Sequence, residues 1–277
     1  MKFTVPKTAN WWETDMTQQE FFRKRQQTLS IGLLGCALLI FAASKLTHFS
    51  FIEGFLSFPS AIKWMSANFA TNGEALGRLP DILNKLGKTV LISIMSTVIA
   101  AVIAFVFAIL GSRTMRPSPV FALFVRAIAS FFRNVPIVAW AMIFLFSFGQ
   151  SDFTGFLALF VETFGFLTRA FLEAIDETAG ESVEALRSSG ATWSQTVAQS
   201  VVPSVMPQLV SWMLYMVETN IRSATLVGIL TGTGIGFIFD IFYKRMNYPA
   251  AGLTILTIVF VVLIIEIASN RIRRIIL

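Results

Sequence analysis

A polar segment between Glu184 and Pro203 has the residue types and spacing that best fit a specific function. It starts with Glu184-Ala185, contains Gly190, and reaches Pro203 thirteen residues after that glycine. Glycine and proline interrupt helices, so the spacing predicts a helix, a break at Gly190, and a second helix that starts near Ala191 and stops before Pro203. Segments apolar enough to cross a bilayer flank it on both sides. Two such short helices could dock into a groove on a soluble partner, or could form an ordinary loop.

Glu218 and Arg222 lie four residues apart near the far end of the next apolar segment. At this spacing they can form an ion pair on one face of a helix. That pair could be structural, at the boundary with water. Alternatively, Arg222, together with Asn220, offers N–H donors to an anion.

Three further ionisable residues lie inside apolar segments. Arg126 and Arg133 are seven residues apart, on one helical face, and Pro136 should kink the run that contains them. A charge within the bilayer must face a cavity, a partner or the interface. Arg126 is expected to snorkel or to pair, whereas Arg133 either does the same or lines a path for an anion. Glu162 must be neutral, paired or turned inward, and Arg133 is a plausible partner for it.

The composition identifies an integral membrane protein. The 277 residues are 55% hydrophobic and 14% charged, include 28 Phe, and have a mean hydropathy of +0.70. A soluble chain of this length needs more charge to cover its surface. One histidine, His48, argues against a histidine metal cluster or catalytic triad, and one cysteine, Cys36, excludes a disulfide within the chain. The net charge of +6 comes from cations that flank apolar segments, which indicates membrane topology rather than nucleic-acid binding.

The hydropathy pattern predicts about six membrane-spanning helices. Residues 1–28 are expected to form a cytoplasmic segment at the membrane interface, or alternatively a disordered tail, and residues 29–277 the transmembrane domain. With the N-terminus inside, the short inner loops and the chain ends carry the clearer excess of Lys and Arg, which places both termini and the polar segment in the cytoplasm. The predicted spans are 29–46, 89–111, 120–148, 154–172, 205–224 and 250–268.

An amphipathic helix is expected between the first two spans. Phe58, Ile62 and Met65 recur at helical spacing, and Phe69 continues the pattern. Pro59 is expected at the start of this helix, and an Asn-Gly pair at 72–73 at its end. Towards the C-terminus, the glycines between residues 228 and 236 predict close backbone approach or re-entrant backbone.

The polar segment resembles the EAA loop of ABC-importer permeases, in which E-A-A is followed by three residues, G, nine residues and I-x-L-P. Glu184, Ala185, Gly190 and Pro203 match this pattern. We therefore name residues 173–203 the EAA-like segment. The departures are Leu186, Ser200 and Val202, where the family has Ala, Ile and Leu.

A second stretch resembles the phosphonate-importer permeases more specifically. Residues 218–228 carry the string E-x-N-x-R-S-A-T-x-V-G of that family, and the similarity extends from about residue 126 to the C-terminus. The resemblance implies an all-α, type I ABC-importer permease fold. It also implies that Glu184, Ala185, Gly190, Ala191 and Pro203 belong to the loop that couples the chain to an ATPase, and that Arg222, Asn220, Glu218 and Arg133 are candidates for the substrate path.

The resemblance implies a multi-pass subunit of the bacterial cytoplasmic (inner) membrane that imports a phosphonate, phosphite or phosphate ester by alternating access. The chain has no G-x-x-x-x-G-K-[ST] phosphate loop, so energy must come from elsewhere. ATP and Mg²⁺ would be bound by two partner ATP-binding subunits, and this chain would itself carry no cofactor. A second permease subunit, expected to be an identical copy, and an extracytoplasmic substrate-binding protein would complete the complex.

Three other functions are weighed against this one. An importer for another small solute, such as an amino acid, would have the same EAA-like segment. A secondary transporter would be expected to show paired repeats with interrupted spans, and no convincing internal repeat is seen. A membrane enzyme acting on phosphorylated lipids would need a cluster of His, Asp or Glu at one membrane face, and the chain has a single histidine.

Overall fold

The computed structural model describes residues 18–47 and 49–276, and every regular element in these ranges is helical. The chain divides into two compact units, residues 1–64 and 65–277. A short π-helical segment, Val197–Val201, separates the ninth and tenth helices. The helices are α1 Gln18–Thr47, α2 Phe51–Asn68, α3 Gly73–Leu76, α4 Leu79–Gly111, α5 Pro119–Asn134, α6 Ile137–Phe148, α7 Asp152–Thr178, α8 Gly180–Ser188, α9 Trp193–Thr196, α10 Val202–Thr231, α11 Gly234–Lys244 and α12 Tyr248–Ile276.

The prediction of about six spans agrees with the described residues, which hold five helices long and apolar enough to cross a membrane, or six if the bent pair α5 and α6 counts as one span. Several of these helices extend beyond the predicted bounds. For example, α4 begins ten residues before the predicted span, because Pro80 occupies its first turn, where the missing N–H costs nothing. The proposed N-terminal segment of residues 1–28 falls largely outside the described residues, as does His48.

Helix α2 differs from its prediction. Pro59 lies inside the helix rather than at its start, Phe69 lies beyond its end, and no residue of α2 is buried. The helix begins eight residues earlier because the Ser50 hydroxyl accepts a hydrogen bond from the Glu53 N–H at 3.3 Å, which caps the first turn. Asn72 does not end this helix; its side chain caps α3 by accepting a bond from Ala75 N–H.

The core of the second unit lies where α4, α7 and α10 meet. Small residues on α4, such as Ala104 and Ala108, are fully buried and let the large side chains of α7, such as Phe171, pack closely. Halfway along these helices, Asn220 of α10 donates hydrogen bonds to Thr97 of α4 at 2.9 Å and to Thr163 of α7 at 2.8 Å. The three helices are therefore joined by apolar packing and by a buried polar clamp.

The kink predicted near Pro136 is confirmed. Helices α5 and α6 meet at an angle of 89° across Val135 and Pro136. Proline disfavours helical geometry at the residue before it, and Val135 is accordingly extended with φ −89° and ψ 121°. The break turns the apolar run into two short helices that both pack on α7.

The close backbone approach predicted for the glycine-rich stretch is also confirmed. Helix α10 ends at Gly232, which adopts a left-handed conformation with φ +70° and reverses the chain into α11. A Cβ on Gly236 would overlap the backbone carbonyl of Thr225, and one on Gly228 would overlap that of Thr233. Only glycine lets α10 and α11 approach this closely.

Candidate functional site

The EAA-like segment contains the predicted break between two helices. Helix α8 ends at Ser188, and Gly190 has φ +83°, a conformation that side-chain-bearing residues rarely adopt. The second helix begins at Trp193, two residues later than the predicted start near Ala191. Its start is set by a capping box, in which Thr192 and Gln195 satisfy each other's backbone N–H groups.

The predicted stop before Pro203 is wrong. From Trp193 the chain remains helical through the π segment into α10, a run of 39 residues to Thr231. Pro203 lies in the first turn of α10, and the N–H of Val202 donates to the carbonyl of Val197, one residue further back than in an α-helix. This wider turn accommodates the proline ring, which cannot donate and would crowd an α-helical carbonyl.

Helix α8 is held to the membrane-spanning helices by one apolar and one polar contact. Val183 is 2% exposed and belongs to the same buried cluster as Ile175 of α7 and Val201 of the π segment. The Ser182 and Ser200 hydroxyls are 2.6 Å apart and hydrogen bonded, which links α8 to the π segment. Helix α8 is therefore in direct contact with the π segment that leads into α10.

The linker between α4 and α5 supports the other side of the EAA-like segment. Met115, in this linker, is fully buried, and its carbonyl accepts a hydrogen bond from the Trp193 indole N–H at 3.2 Å. The Met115 sulfur lies 3.5 Å from Nη2 of Arg187 in α8. Two residues of the segment that lie on either side of Gly190 thus contact the same methionine.

An ion pair at the start of the segment joins three helices. Asp176 of α7 accepts a hydrogen bond from the Arg113 backbone N–H at 2.6 Å and pairs with Nη2 of Arg126 in α5 at 3.1 Å. Nε of Arg126 donates to the carbonyl of Gly111, the last residue of α4, at 3.1 Å. Arg126 was expected to snorkel or to pair, and the structure shows that it pairs. No sequence pattern predicts this pair, since 50 residues separate Arg126 from Asp176.

The exposed face of the segment carries the residues that match the EAA pattern. Glu184, Ala185, Gly190 and Pro203 are exposed, and Ala191 is half-buried. These positions do not form the core and are accessible to a partner. Their role in docking stays a prediction.

The second candidate region is the polar stretch of α10, residues 218–225. Glu218 and Arg222 form the ion pair expected from their spacing, with 3.0 Å between Oε1 and Nη2. The Arg222 side chain is 54% exposed and that of Glu218 only 11%. Asn220 is fully buried, and both of its N–H bonds go to threonines, so in this structure it offers no free donor to an anion.

Arg133 and Glu162 are not partners, contrary to the expectation. The Arg133 guanidinium lies 5.7 Å from the centre of the Phe166 ring, a cation–π distance, and the ion pairs of the described residues do not include the two together. The bend at Pro136 places Arg133 at the end of α5 over the ring of Phe166, one turn along α7 from Glu162. Among the described residues, no three His, Cys, Asp or Glu side chains are close enough to hold a metal ion.

One residue of this region was missed by the sequence analysis. Arg273, in the last turn of α12, reaches Glu218, with 3.9 Å between its Nη2 and Oε2 of the carboxylate. Its charge was attributed to membrane topology, which explains a basic chain end without any contact. No sequence pattern links two residues 55 positions apart, so only the packing of α12 on α10 shows the contact.

The arrangement of helices is the type I fold of ABC-importer permeases. A chain of the MetNI methionine ABC transporter in inward facing conformations matches with a TM-score of 0.63 and 22% identity, covering 71% of this chain and 96% of its own. A chain of a bacterial ABC transporter involved in the import of the acidic polysaccharide alginate matches with a TM-score of 0.63 and 15% identity, covering 91% and 98%. At these identities the likeness shows the fold alone.

Residues 100–277 match the family described as binding-protein-dependent transport system inner membrane component, and the chain belongs to that family. The phosphate-import permease protein PhnE of Mycolicibacterium smegmatis is 31% identical over 202 residues, which cover 73% of this chain and 38% of that relative. The phosphite transport system permease protein PtxC of Stutzerimonas stutzeri is 31% identical over 186 residues, covering 67% and 68%. The chain thus spans well under half of the mycobacterial relative.

Proposed function

We propose that this chain is the membrane-spanning permease subunit of an ATP-driven importer for a phosphorus oxyanion, such as a phosphonate, phosphite or phosphate ester. The family supplies the class of protein, and the names of two relatives point to phosphate and phosphite as cargo. The observation that carries the proposal is the exposed EAA-like segment, which is firmly joined to α4, α5, α7 and α10. A segment exposed on one face and fixed on the other is suited to receive a force from a partner.

The EAA-like segment would dock on a separate ATP-binding subunit at the cytoplasmic face. Closure of two such subunits around ATP would displace α8, and the contacts of Ser182 and Val183 would pass that displacement to α7 and α10. Because the ATPase binds one arrangement of the helices better than the other, ATP binding and hydrolysis would alternate access to the path. ATP and Mg²⁺ would be held by those partner subunits.

Arg222 is the residue that we propose for the cargo. Its guanidinium is largely exposed, permanently charged, and able to bind two oxygens of a phosphorus oxyanion at once. Asn220 would act indirectly, because its bonds to Thr97 and Thr163 fix the turn of α10 from which Arg222 projects. Arg133 is the weaker candidate, since its guanidinium already lies on the ring of Phe166.

The complete importer would contain a second permease subunit, two ATP-binding subunits and an extracytoplasmic substrate-binding protein. The second permease would be an identical copy, which would enclose a path between two equivalent surfaces and present one EAA-like segment to each ATPase. It would reside in the cytoplasmic membrane of a bacterium with both termini inside.

The decisive experiment is ATP-driven uptake in proteoliposomes that contain this chain, its ATPase and its binding protein. Uptake of methylphosphonate, phosphite, phosphate and a neutral amino acid would be compared, with and without ATP. We expect uptake of a phosphorus oxyanion that requires ATP. Uptake of the amino acid instead would support the assignment as a permease subunit but contradict the role of Arg222 in binding cargo. Uptake without an ATPase would contradict the proposed coupling.

A further inference from the structure

Arg273 presents an unfilled pair of donors to the buried carboxylate of Glu218. Its Nη1 donates to Asn270 at 3.4 Å, but its Nη2 is 3.9 Å from Glu218, too far for a hydrogen bond. Nε and Nη2 are both buried, and neither has a hydrogen-bond partner in the part of the chain that the structure describes. These two atoms form the edge of the guanidinium that binds two carboxylate oxygens in parallel.

Three other residues of the polar stretch of α10 have a buried atom without a partner among the described residues. Thr219 and Thr225 each have such a hydroxyl oxygen, and Asn220 such an amide oxygen; Glu162 and Thr168 of α7 have one each as well. Buried polar groups are almost always hydrogen bonded, since leaving one unpaired is costly. The stretch of α10 that holds Glu218 and Arg222 is therefore not fully hydrogen bonded in this arrangement of the helices.

Glu218 is shared unequally between two arginines. Oε1 is held by Arg222 at 3.0 Å, while Oε2 faces the unfilled edge of Arg273. A buried carboxylate that loses its close cation is strongly destabilising. An anion that took Arg222 away from Glu218 would therefore need another cation to receive the carboxylate, and Arg273 lies beside it.

We propose that Glu218 is a transferable counter-ion. When a phosphorus oxyanion binds Arg222, Glu218 leaves Arg222 and closes on Nε and Nη2 of Arg273. With a singly charged oxyanion, each guanidinium then has one anion, so the buried charges balance. Arg273 is a positioning residue that makes Arg222 available without touching the cargo. This inference rests on the proposed function, because it takes Arg222 as the cargo-binding residue.

The exchange also links cargo to the position of a helix. Arg273 lies in the last turn of α12, and Glu218 lies within α10. Closing a bidentate pair between them would draw the end of α12 towards α10 whenever cargo is bound. The empty carrier and the loaded carrier would then differ in how these two helices are joined.

The test is equilibrium binding of radiolabelled phosphite to the complex of this chain with its ATPase in lipid nanodiscs, without the binding protein. Arg273→Gln should weaken binding roughly tenfold, because Glu218 then stays on Arg222. Adding Glu218→Gln to that variant should restore binding to within about threefold of the wild type, since no carboxylate then competes for Arg222. Arg273→Lys, which keeps the charge but has no planar fork, should fall between the two.

Arg271→Gln is the matched control, because Arg271 lies two residues earlier on the same helix and is exposed. It should bind phosphite as the wild type does. Equal phosphite affinity in Arg273→Gln and the wild type would contradict the exchange and leave the proposed cargo unaffected. Equal weakening in the single and double variants would also overturn it, since removing Glu218 does not rescue a purely structural arginine. A wild type that binds neither phosphite nor methylphosphonate nor a phosphate ester would overturn the cargo and the exchange together, before any substitution is made.

Discussion

Two polar regions of this membrane chain are built in opposite ways. In the EAA-like segment, Asp176 binds the backbone N–H of Arg113 and the guanidinium of Arg126, and the described residues from Asp176 to Val201 hold no buried side-chain oxygen or nitrogen without a partner. In the polar stretch of α10, several buried atoms lack partners among the described residues, and one carboxylate faces two arginines at unequal distances. Buried unpaired atoms thus occur in the second region and not in the first.

From this difference we expect the first region to move as a body and the second to rearrange. A fully bonded polar network in a low-dielectric interior has one favourable geometry, because every alternative leaves a group unpaired. Such a network transmits displacement with little loss. An incompletely bonded network has several arrangements of similar energy, and a ligand that completes one of them selects it. We therefore expect substitutions in the first region to uncouple or destabilise, and those in the second to change cargo binding.

Gly190→Pro should have the largest effect, on the first region. Gly190 has φ +83°, whereas a proline ring fixes φ near about −65°, so the turn between α8 and α9 cannot form. ATP-driven uptake should be abolished while the chain still inserts into the membrane. Gly180→Ala, at the start of α8 where a Cβ meets no other atom within 4 Å, is the control and should transport normally. Normal uptake by Gly190→Pro would show that the EAA-like segment does not couple ATP hydrolysis to transport.

Arg222→Gln should have the next largest effect, on the second region. It removes the charge-assisted bonds to the cargo, so uptake of a phosphorus oxyanion should fall roughly tenfold to a hundredfold. Thermal stability should change little, because Glu218 can pair with Arg273. Lys244→Gln breaks the comparable pair with Asp240, also four residues apart, and should leave uptake unchanged. Similar losses in both variants would mean that the effect is not specific to cargo.

Asp176→Ala should chiefly lower stability. It leaves the guanidinium of Arg126 and the N–H of Arg113 without their acceptor, at a cost of about 2 kcal/mol in the free energy of unfolding. Thermal melting of the purified chain measures the loss. Asp240→Ala is matched, because the Asp240 and Asp176 side chains are 19% and 20% exposed, but among the described residues Asp240 forms an ion pair only with the exposed Lys244. If the two alanine variants have the same melting temperature, the Asp176 network does not stabilise the packing of the helices.

Ser182→Ala should have the smallest effect of the four. It removes one hydroxyl from the pair with Ser200, worth about 1 kcal/mol, without opening a large cavity. ATP hydrolysis should continue while uptake per ATP falls, because α8 is then joined to the π segment by apolar contact alone. Ser188→Ala is the control, because within the described residues the Ser188 hydroxyl bonds only to the Glu184 carbonyl of its own helix; it should keep the wild-type ratio. An unchanged ratio in Ser182→Ala would restrict the coupling path to Val183 and its neighbours.

Local and periodic features of the structure could be predicted from the sequence. Apolar runs gave the membrane class and about six spans, and the kink at Pro136 and the break at Gly190 followed from the conformational limits of proline and glycine. The same rule failed at Pro59 and Pro203. Helix α2 is capped at Ser50, well before Pro59, and the π turn before Pro203 is wide enough for that ring. A proline marks a restraint on the backbone, and its surroundings decide whether the helix ends.

The partners of the charged residues could not be predicted, apart from the pairs within one helical turn. The spacing of Glu218 and Arg222 was enough to predict their bond, because a helix brings residues four apart together. Arg126 and Asp176 come from different helices, and Arg133 proved to face Phe166 instead of Glu162. These choices depend on how helices cross, which involves many apolar contacts and no local signal.

The sequence by itself determined that this chain crosses a membrane as helices, that the chain bends at Pro136 and breaks at Gly190, and which segment resembles a coupling loop. Each of these follows from a local property: hydropathy, backbone freedom, or spacing along one helix. Only the tertiary structure decided that Asn220 bonds to Thr97 and Thr163, and that Arg273 faces Glu218. The physical reason is that a charge or amide inside a membrane takes whichever partner the packing brings within reach, and packing joins residues that the sequence keeps far apart.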